Sequence, residues 1–155
     1  FDVHILIPMV SLPEDIAQVR ECLTRLGAEL GVLPLPKLGA MIETPAAALS
    51  ARDMQPHADF LSFGTNDLVQ YTFAADRENA AVEPYFNDAA DVIFRLLRIA
   101  HDDVPEMSLS VCGELAGRPA HIPKLLQCGI RTLSVAPPLI PMIKEAIRES
   151  SCKAV

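Results

Sequence analysis

Side chains that could bind a metal or a substrate, or transfer a proton, lie at the carboxyl ends of three short apolar segments in this sequence. Glu43 directly follows one such segment, Asn66 and Asp67 follow the next, and Cys112 closes a third. Such segments are typical of buried strands in a parallel sheet, and the carboxyl ends of these strands form the edge where barrel and open α/β active sites lie. The sequence therefore predicts one site that contains these side chains.

The residue types indicate what this site could bind. Glu43 and Asp67 supply two hard oxygen donors, and Mg²⁺ accepts one or two carboxylates while water and substrate oxygens fill its other positions. Magnesium also suits an anionic substrate on a chain whose formal net charge is −7. Arg77 lies at the start of a polar segment and could offer its planar guanidinium group to a phosphate or carboxylate. We therefore predict that the carboxylates of Glu43 and Asp67 lie close enough to share one cation.

Each of these residues also has an ordinary structural explanation. Glu43 could charge the first turn of the helix that follows it, and Asn66 and Asp67 could be turn or cap residues. Cys112 could be a small buried side chain, the common situation of a free cysteine. Arg77 could be a surface arginine. From the residue types alone these alternatives stay open.

The site must be positioned by strands and helices, and the chain alternates between the two. Short, nearly continuous apolar runs predict buried parallel strands, and the longer amphipathic segments between them predict covering helices. The predicted strands are residues 4–7, 39–42 (with an extension back towards residue 32 left open), 60–63, 109–112 and 132–136. This alternation predicts an α/β fold of βαβ units.

The helices have readable ends. Ser11 and Glu14 match a capping box at the start of the first helix, and Thr44 can cap a helix that opens with Pro45. The predicted helices run from the Ser11 cap to residue 30, from 45 to about 51 with an end at Pro56, from near residue 66, and over 87–101, 119–127 and 141–149. Residues 76–85 are predicted to form a long surface loop.

Composition excludes several classes of function. Half of the 155 residues are hydrophobic and 21% are charged, and there is no basic stripe that could neutralise nucleic-acid phosphates or an anionic membrane. The four cysteines lack paired CxxC spacing, so we expect reduced thiols in a cytoplasmic protein. No apolar run is long enough to span a bilayer. The chain starts within a predicted strand and without methionine, and we expect it to be part of a longer protein.

Three longer motifs carry a family resemblance. Residues 41–48 read MIETPAAA, residues 63–77 begin with FGTNDLVQYT and end with AADR, and residues 111–117 read VCGELAG. In this order the motifs resemble the phosphoenolpyruvate (PEP)-utilising enzymes, and most of all Enzyme I of the bacterial phosphotransferase system, the PEP–protein phosphotransferase. Residues 7–10 and 134–144 fit the same family, so the resemblance covers nearly the whole chain.

The resemblance implies a PEP-binding (β/α)-barrel that passes the phosphoryl group to a histidine elsewhere in the protein. By resemblance, Glu43 and Asp67 hold Mg²⁺, and Asn66 and Arg77 hold the transferring phosphoryl group. Cys112 gives a proton to the methylene carbon of the enolate, which makes pyruvate. These roles suit the residue types, because a metal and an arginine neutralise a departing phosphoryl group and a thiol with a pKa of about 8.5 is mostly protonated at neutral pH.

The chain also departs from the family pattern. The family barrel has eight strands and this chain offers at most five, so we expect residues 1–155 to be the carboxyl-terminal portion of the barrel domain, with two further arginines for PEP on the missing strands. The phosphohistidine motif of the family has no match at any of the four histidines. We therefore expect an open sheet with covered edges, in a fragment that does not turn over PEP alone.

Partners and rival functions follow from the same resemblance. We expect PEP and pyruvate as ligands, a histidine-phosphocarrier protein as the partner of the missing amino-terminal domain, and a homodimer. Pyruvate phosphate dikinase and PEP synthase are rival enzymes, although residues 71–72 and 74–77 favour Enzyme I. A magnesium-dependent lyase of the pyruvate-enolate type is a third rival, and Cys112 argues against it. The non-enzymatic alternative is a module that senses PEP or only dimerises.

Overall fold

The sheet has the strand order of a (β/α)-barrel. The computed structural model describes residues 3–87 and 90–152. Its strands are β1 His4–Val10, β2 Lys37–Ile42, β3 Phe60–Gly64, β4 Ser108–Cys112 and β5 Thr132–Leu133. Every strand pairs in parallel with the next one in sequence. Barrels have this sequential order, whereas doubly wound sheets reverse it. The predicted α/β fold, a partial TIM-type barrel of five strands, is confirmed.

Helices connect the strands. They are α1 Pro13–Leu30, α2 Pro45–Leu49, α3 Ala51–Met54, α4 Thr65–Phe73, α5 Asp91–Asp103, α6 Ile122–Gln127 and α7 Ile140–Cys152. Short 3₁₀ helices cover Ala80–Tyr85, Glu114–Gly117, Pro119–His121 and Pro137–Leu139. Among the described residues no helix combines the length and the apolar character needed to cross a membrane.

Several predicted boundaries are wrong, each for a local reason. β2 begins at Lys37 rather than near residue 32; α1 ends at Leu30, and Gly31, with a positive φ of 65°, is its left-handed cap. β5 ends at Leu133 rather than at residue 136, because among the described residues its pairing with β4 extends only to Val111 and Leu133. The predicted helix 87–101 crosses residues 88 and 89, which lie outside the described residues, and the observed helix begins at Asp91. The predicted loop 76–85 contains the 3₁₀ helix Ala80–Tyr85.

Helix capping was predicted correctly at one end and wrongly at another. Thr44 caps α2, and its hydroxyl oxygen accepts a hydrogen bond from the Ala47 N–H at 3.2 Å. The first helix is capped by Asp15 rather than by the predicted pair Ser11 and Glu14. The Asp15 carboxylate accepts the N–H groups of Ser11 and Leu12 at 3.0 and 2.9 Å. Pro13 at the first helical position makes Leu12 the cap residue, so the acidic side chain three residues later closes the box.

The two faces of the sheet differ in composition. The face towards the helices is buried and apolar, with Leu38, Ala40, Ile42, Leu61, Phe63, Leu109 and Val111. Side chains alternate between faces along a strand, so Ser62 and Ser110 lie opposite one another on the other face. The groups at the strand ends, Glu43, Gly64 and Cys112, continue this small and polar face. The core therefore holds the strands rigid while their carboxyl ends remain available for a site.

The packing predicts which leucines determine stability. We expect Leu97→Ala to lower the free energy of unfolding by about 2–5 kcal/mol, because Leu97 of α5 is fully buried and its loss leaves a cavity. Leu30→Ala is the matched control, since Leu30 is also helical but 73% exposed. Urea unfolding of both variants measures the difference. Equal losses would contradict the assignment of α5 to the core.

Candidate active site

A buried carboxylate occupies the carboxyl end of β2. Glu43 is only 6% exposed, and its Oε2 accepts a hydrogen bond from the backbone N–H of Met9 at 2.8 Å. On the neighbouring strand Gly64 makes room for it, because a Cβ at Gly64 would lie 2.5 Å from Glu43 Oε1. A side chain at position 64 would displace the Glu43 carboxyl group from this place. The Glu43 side chain is thus fixed by strands on both sides.

The donor to Glu43 comes from an irregular end of β1. The pairing of β1 with β2 shifts between Ile7 and Val10, and Met9 takes a positive φ of 54°. Such a conformation is uncommon for residues other than glycine and is found where the surrounding structure enforces it. The irregularity directs the Met9 N–H at the Glu43 carboxylate. This contact cannot be predicted from the sequence, because a backbone donor leaves no side-chain pattern.

Asp67 brings a second carboxylate to Glu43. It lies in the first turn of α4, where a negative charge is favourable. Burial raises the pKa of the Glu43 carboxyl; the Met9 N–H opposes this, and Asp67 raises that pKa further by its charge and by a hydrogen bond between the two side chains. The guanidinium group of Arg77 has a smaller, lowering effect on the same pKa. The Asp67 carboxyl group therefore lies close enough to Glu43 to affect its pKa.

Arg77 is returned to the site by the turn that follows α4. Ala74 has a positive φ of 50° and ends the helix in the left-handed conformation. The chain then turns back, so that Arg77 Nη1 lies 3.7 Å from Asp67 Oδ2 and the Arg77 N–H faces Gln70 Oε1 at 3.4 Å. The Arg77 side chain is 44% exposed, which leaves its guanidinium group accessible to an anion.

Cys112 completes the group at the end of β4. Its register partner on β3 is Gly64, and its thiol donates a hydrogen bond to the Phe63 carbonyl oxygen at 3.3 Å. Burial raises the pKa of the Cys112 thiol, and the charges of Glu43 and Asp67 raise it further, while a hydrogen bond with Ser62 acts in the opposite direction. The thiol is therefore protonated at neutral pH and can act as an acid.

Asn66 joins the same edge through the turn after β4. Its Oδ1 accepts the Glu114 N–H at 3.1 Å, which fixes the orientation of the side-chain amide. The preceding residue, Thr65, is fully buried, and its hydroxyl donates to the Cys112 carbonyl oxygen at 2.8 Å. The first turn of α4 and the end of β4 are thus bonded directly. The sequence alone does not indicate this role of Thr65, because a threonine at a helix start is typical of a cap residue.

Two carboxylates at one point suit a hard divalent cation. Within the described residues no group of three or more His, Cys, Asp or Glu side chains is arranged to hold a metal. Mg²⁺ does not need such a group, since it binds through one or two carboxylates and takes its remaining oxygens from water and substrate. Burial is the main cause of the raised pKa of Glu43, and the charge of Asp67 adds to it; a bound cation would offset both effects. The donor set fits Mg²⁺.

The predicted site residues therefore lie together. The charges of Glu43 and Asp67 affect the pKa of Cys112, and Arg77 contacts Asp67 directly. Asn66 precedes Asp67 in α4 and accepts the N–H of Glu114, two residues after Cys112. Two cavities lie elsewhere: one of about 280 Å³ along β5 and α7, and one of about 270 Å³ near His101 at the opposite end of the strands. The side chains that could bind a metal or transfer a proton lie at the carboxyl ends of the strands and not in either cavity.

Comparison with known proteins shows the family of the chain. Residues 1–152 match the family model described as PEP-utilising enzyme, PEP-binding domain. A phosphoenolpyruvate-protein phosphotransferase from Mycoplasma pneumoniae is 40% identical over 85% of this chain and 23% of its own length. A probable phosphoenolpyruvate synthase from Archaeoglobus fulgidus is 32% identical over 99% of this chain and 20% of its own length. The chain thus spans less than a quarter of either relative.

Solved structures share the fold at low sequence identity. A citrate lyase from Burkholderia xenovorans superposes with a TM-score of 0.71 at 20% identity, over 92% of this chain and 48% of its own. A citrate lyase beta subunit from M. tuberculosis, complexed with oxaloacetate and magnesium, superposes with a TM-score of 0.59 at 14% identity, over 92% of this chain and 60% of its own. These similarities support the fold.

The environment of Glu43 predicts a pH-dependent stability. Its folded-state pKa is raised, so the folded state holds a proton that the unfolded state loses near pH ~4.3, and stability falls as the pH rises through that interval. We expect metal-free Glu43→Gln to unfold at a higher temperature than the wild type at pH 7, with the difference disappearing near pH ~4. Glu21→Gln, an exposed change on α1, is the control with the same loss of charge. A lower unfolding temperature for Glu43→Gln at pH 7 would show that the carboxylate is stabilising.

Proposed function

The chain belongs to the family of PEP-utilising enzymes, with the sequence of their PEP-binding domain, and on that premise we propose that it is the PEP-binding part of a PEP–protein phosphotransferase of the Enzyme I type. The observation that carries the proposal is the meeting of Glu43, Asp67 and Cys112 at the ends of three adjacent strands. Two of these groups suit a metal that binds an anionic substrate, and the third suits a proton donor.

Glu43 and Asp67 would hold Mg²⁺. The buried Glu43 is oriented by the Met9 N–H, and Asp67 approaches it from the first turn of α4. When bound, Mg²⁺ would neutralise the negative charges of PEP, which a chain of formal net charge −7 would otherwise repel.

Asn66 and Arg77 would hold the phosphoryl group. The Oδ1 of Asn66 is engaged by the Glu114 N–H, so its amide NH₂ is the donor that it can offer to a phosphoryl oxygen. The accessible guanidinium group of Arg77 can donate two parallel hydrogen bonds to the same group. Both donors favour the charge that spreads over the phosphoryl oxygens as the P–O bond to the enol oxygen breaks and a P–N bond to a histidine forms.

Cys112 would complete the reaction at carbon. The electron pair left on the enol oxygen forms the keto C=O bond, and the methylene carbon takes a proton from the Cys112 thiol. This gives pyruvate and a thiolate that is reprotonated from water. The burial that raises the pKa of Cys112 keeps the proton on sulfur until an enolate is present to accept it.

The rest of the protein would supply what this chain lacks. The outer strands β1 and β5 each pair on one side, and an apolar groove runs beside β5 along α7 with Leu133, Ile143 and Ile147. Both features support the proposal that residues 1–155 are the carboxyl-terminal portion of a barrel whose further strands carry additional PEP contacts. The acceptor histidine, the histidine-phosphocarrier protein and a homodimer belong to this proposal as well.

PEP synthase is the second candidate, because a relative of that name matches 99% of this chain. The two candidates share the PEP site and differ in the reaction partner. Incubation of the full-length protein with PEP and Mg²⁺ should label a histidine that then phosphorylates a carrier protein. Formation of PEP from pyruvate and ATP, without transfer to a carrier, would favour the synthase.

The metal assignment can be tested without turnover. We expect Asp67→Asn to weaken Mn²⁺ binding by at least about tenfold, because one of only two carboxylate ligands is lost. Electron paramagnetic resonance of free Mn²⁺ during titration of the protein measures the affinity. Asp53→Asn, on the exposed face of α3, is the matched control and should bind like the wild type. Unchanged affinity in Asp67→Asn would remove Asp67 from the metal site.

The proton donor can be tested in the full-length protein. We expect Cys112→Ser to slow pyruvate formation by about 10²–10⁴-fold, since a hydroxyl gives up its proton far less readily than a thiol. Single-turnover phosphorylation by PEP should change much less, because Asn66 and Arg77 are untouched. Cys128→Ser is the matched control: Cys128 is buried and bonds to the Phe94 carbonyl, away from the site. Equal pyruvate rates in Cys112→Ser and the wild type would remove Cys112 from the mechanism.

A further inference from the structure

The buried hydroxyl group of Thr65 forms a hydrogen bond with β4 rather than with its own helix. The cap residue of α4 is Gly64, which makes no side-chain cap bond, and Thr65 is 0% exposed at the first helical position. A threonine at the cap position, one residue earlier, would normally accept a hydrogen bond from a backbone N–H of the same helix. Here the hydroxyl instead donates across to β4, to the Cys112 carbonyl oxygen at 2.8 Å. A buried polar group of this kind is informative, since such groups are kept where they have a partner.

Cys112 is held at two atoms by the residues on either side of its register partner. Phe63 accepts the hydrogen bond of the thiol, and Thr65 donates to the carbonyl oxygen, while Gly64 between them pairs with Cys112 in the sheet. The bond to Phe63 is a weak thiol–carbonyl contact at 3.3 Å. The bond from Thr65 is therefore the stronger restraint on where the end of β4 lies.

The backbone beside Cys112 is shaped for this contact. Gly113 has a φ of 87°, a conformation that favours glycine. A Cβ on Gly113 would lie 2.5 Å from Thr65 Oγ1 and 2.9 Å from Asn66 Oδ1. The turn after β4 can therefore approach the first turn of α4 only with glycine at this position, and the Glu114 N–H then reaches Asn66 at 3.1 Å.

We propose that Thr65 is a positioning residue that sets the place of the Cys112 thiol relative to the phosphoryl-binding end of α4. The inference rests on the proposed function, in which Asn66 and Asp67 act at the phosphoryl end of PEP and Cys112 acts at its methylene carbon. One hydroxyl thus joins the two halves of the reaction. Its loss displaces the proton donor while Asn66 and Asp67 stay on α4.

The test compares Thr65→Val, which keeps the shape and removes the donor, with Thr65→Ser, which restores it. Thr72→Val is the matched control, because Thr72 lies on the same helix and donates to the Leu68 carbonyl oxygen without contacting the site. In the full-length protein, Thr65→Val should slow pyruvate formation by about 10- to 100-fold, the usual result of a misplaced reacting group. Histidine phosphorylation should slow by no more than about threefold, and Thr65→Ser should recover most of the pyruvate rate.

A second readout does not depend on turnover. Alkylation by iodoacetamide, followed for each cysteine by mass spectrometry, should be faster at the half-buried Cys112 in Thr65→Val than in the wild type. Cys128 is the internal reference, since general loosening of the fold would accelerate its alkylation as well.

Wild-type protein that PEP does not phosphorylate would refute the proposed function, and the alkylation result would still decide the role of Thr65. Unchanged Cys112 alkylation, equal slowing of both chemical steps, or a Thr65→Ser variant as slow as Thr65→Val would overturn the inference.

Discussion

The carboxylate of Glu43 lies almost entirely out of solvent, and a charge in that position is unfavourable unless other groups compensate for it. Three features of the chain determine the environment of this carboxylate: the irregular end of β1 that presents the Met9 N–H, the glycine at position 64, and the second carboxylate at Asp67. The Met9 N–H partly compensates for the negative charge of Glu43, and Gly64 makes room for its side chain. The charge of Asp67 makes the ionised form of Glu43 less favourable. An arrangement that lowers the stability of the fold in this way is expected where a cation or substrate completes the site.

The same constraint connects the rest of the edge. The absence of a side chain at Gly64 leaves room for Glu43. Gly64 also pairs with Cys112, so Cys112 lies on the other side of Gly64 at the same edge of the sheet. The Thr65 hydroxyl then donates a hydrogen bond to the Cys112 carbonyl oxygen, and Gly113 leaves room for the end of β4 to approach the start of α4. The pKa of the Cys112 thiol is raised by burial and, to a smaller extent, by the charges of Glu43 and Asp67. In the proposed function, the residues that would bind the metal therefore also affect the residue that would donate the proton.

Much of this arrangement could be predicted from the sequence, because strand ends are marked by a change from apolar to polar residues. Glu43, Asp67 and Cys112 were found in that way, and sequential strand order then brought them together. Met9 and Ala74 could not be found, since both take left-handed conformations that only glycine would have signalled. Asp15 was overlooked as a cap because two acidic residues stand side by side after Pro13, and the register of the helix start decides between them.

In the proposed function, the carboxylates of Glu43 and Asp67 bind one metal with the Cys112 thiol beside it. A crystal structure of the full-length protein with Mn²⁺ and oxalate, a planar mimic of pyruvate enolate, would test this arrangement. We expect one oxygen each from Glu43 and Asp67 to lie about 2.1 Å from the metal, and Cys112 Sγ to lie within about 4 Å of the oxalate position that stands for the methylene carbon. A metal held by other residues, or a Cys112 side chain turned away from oxalate, would contradict it.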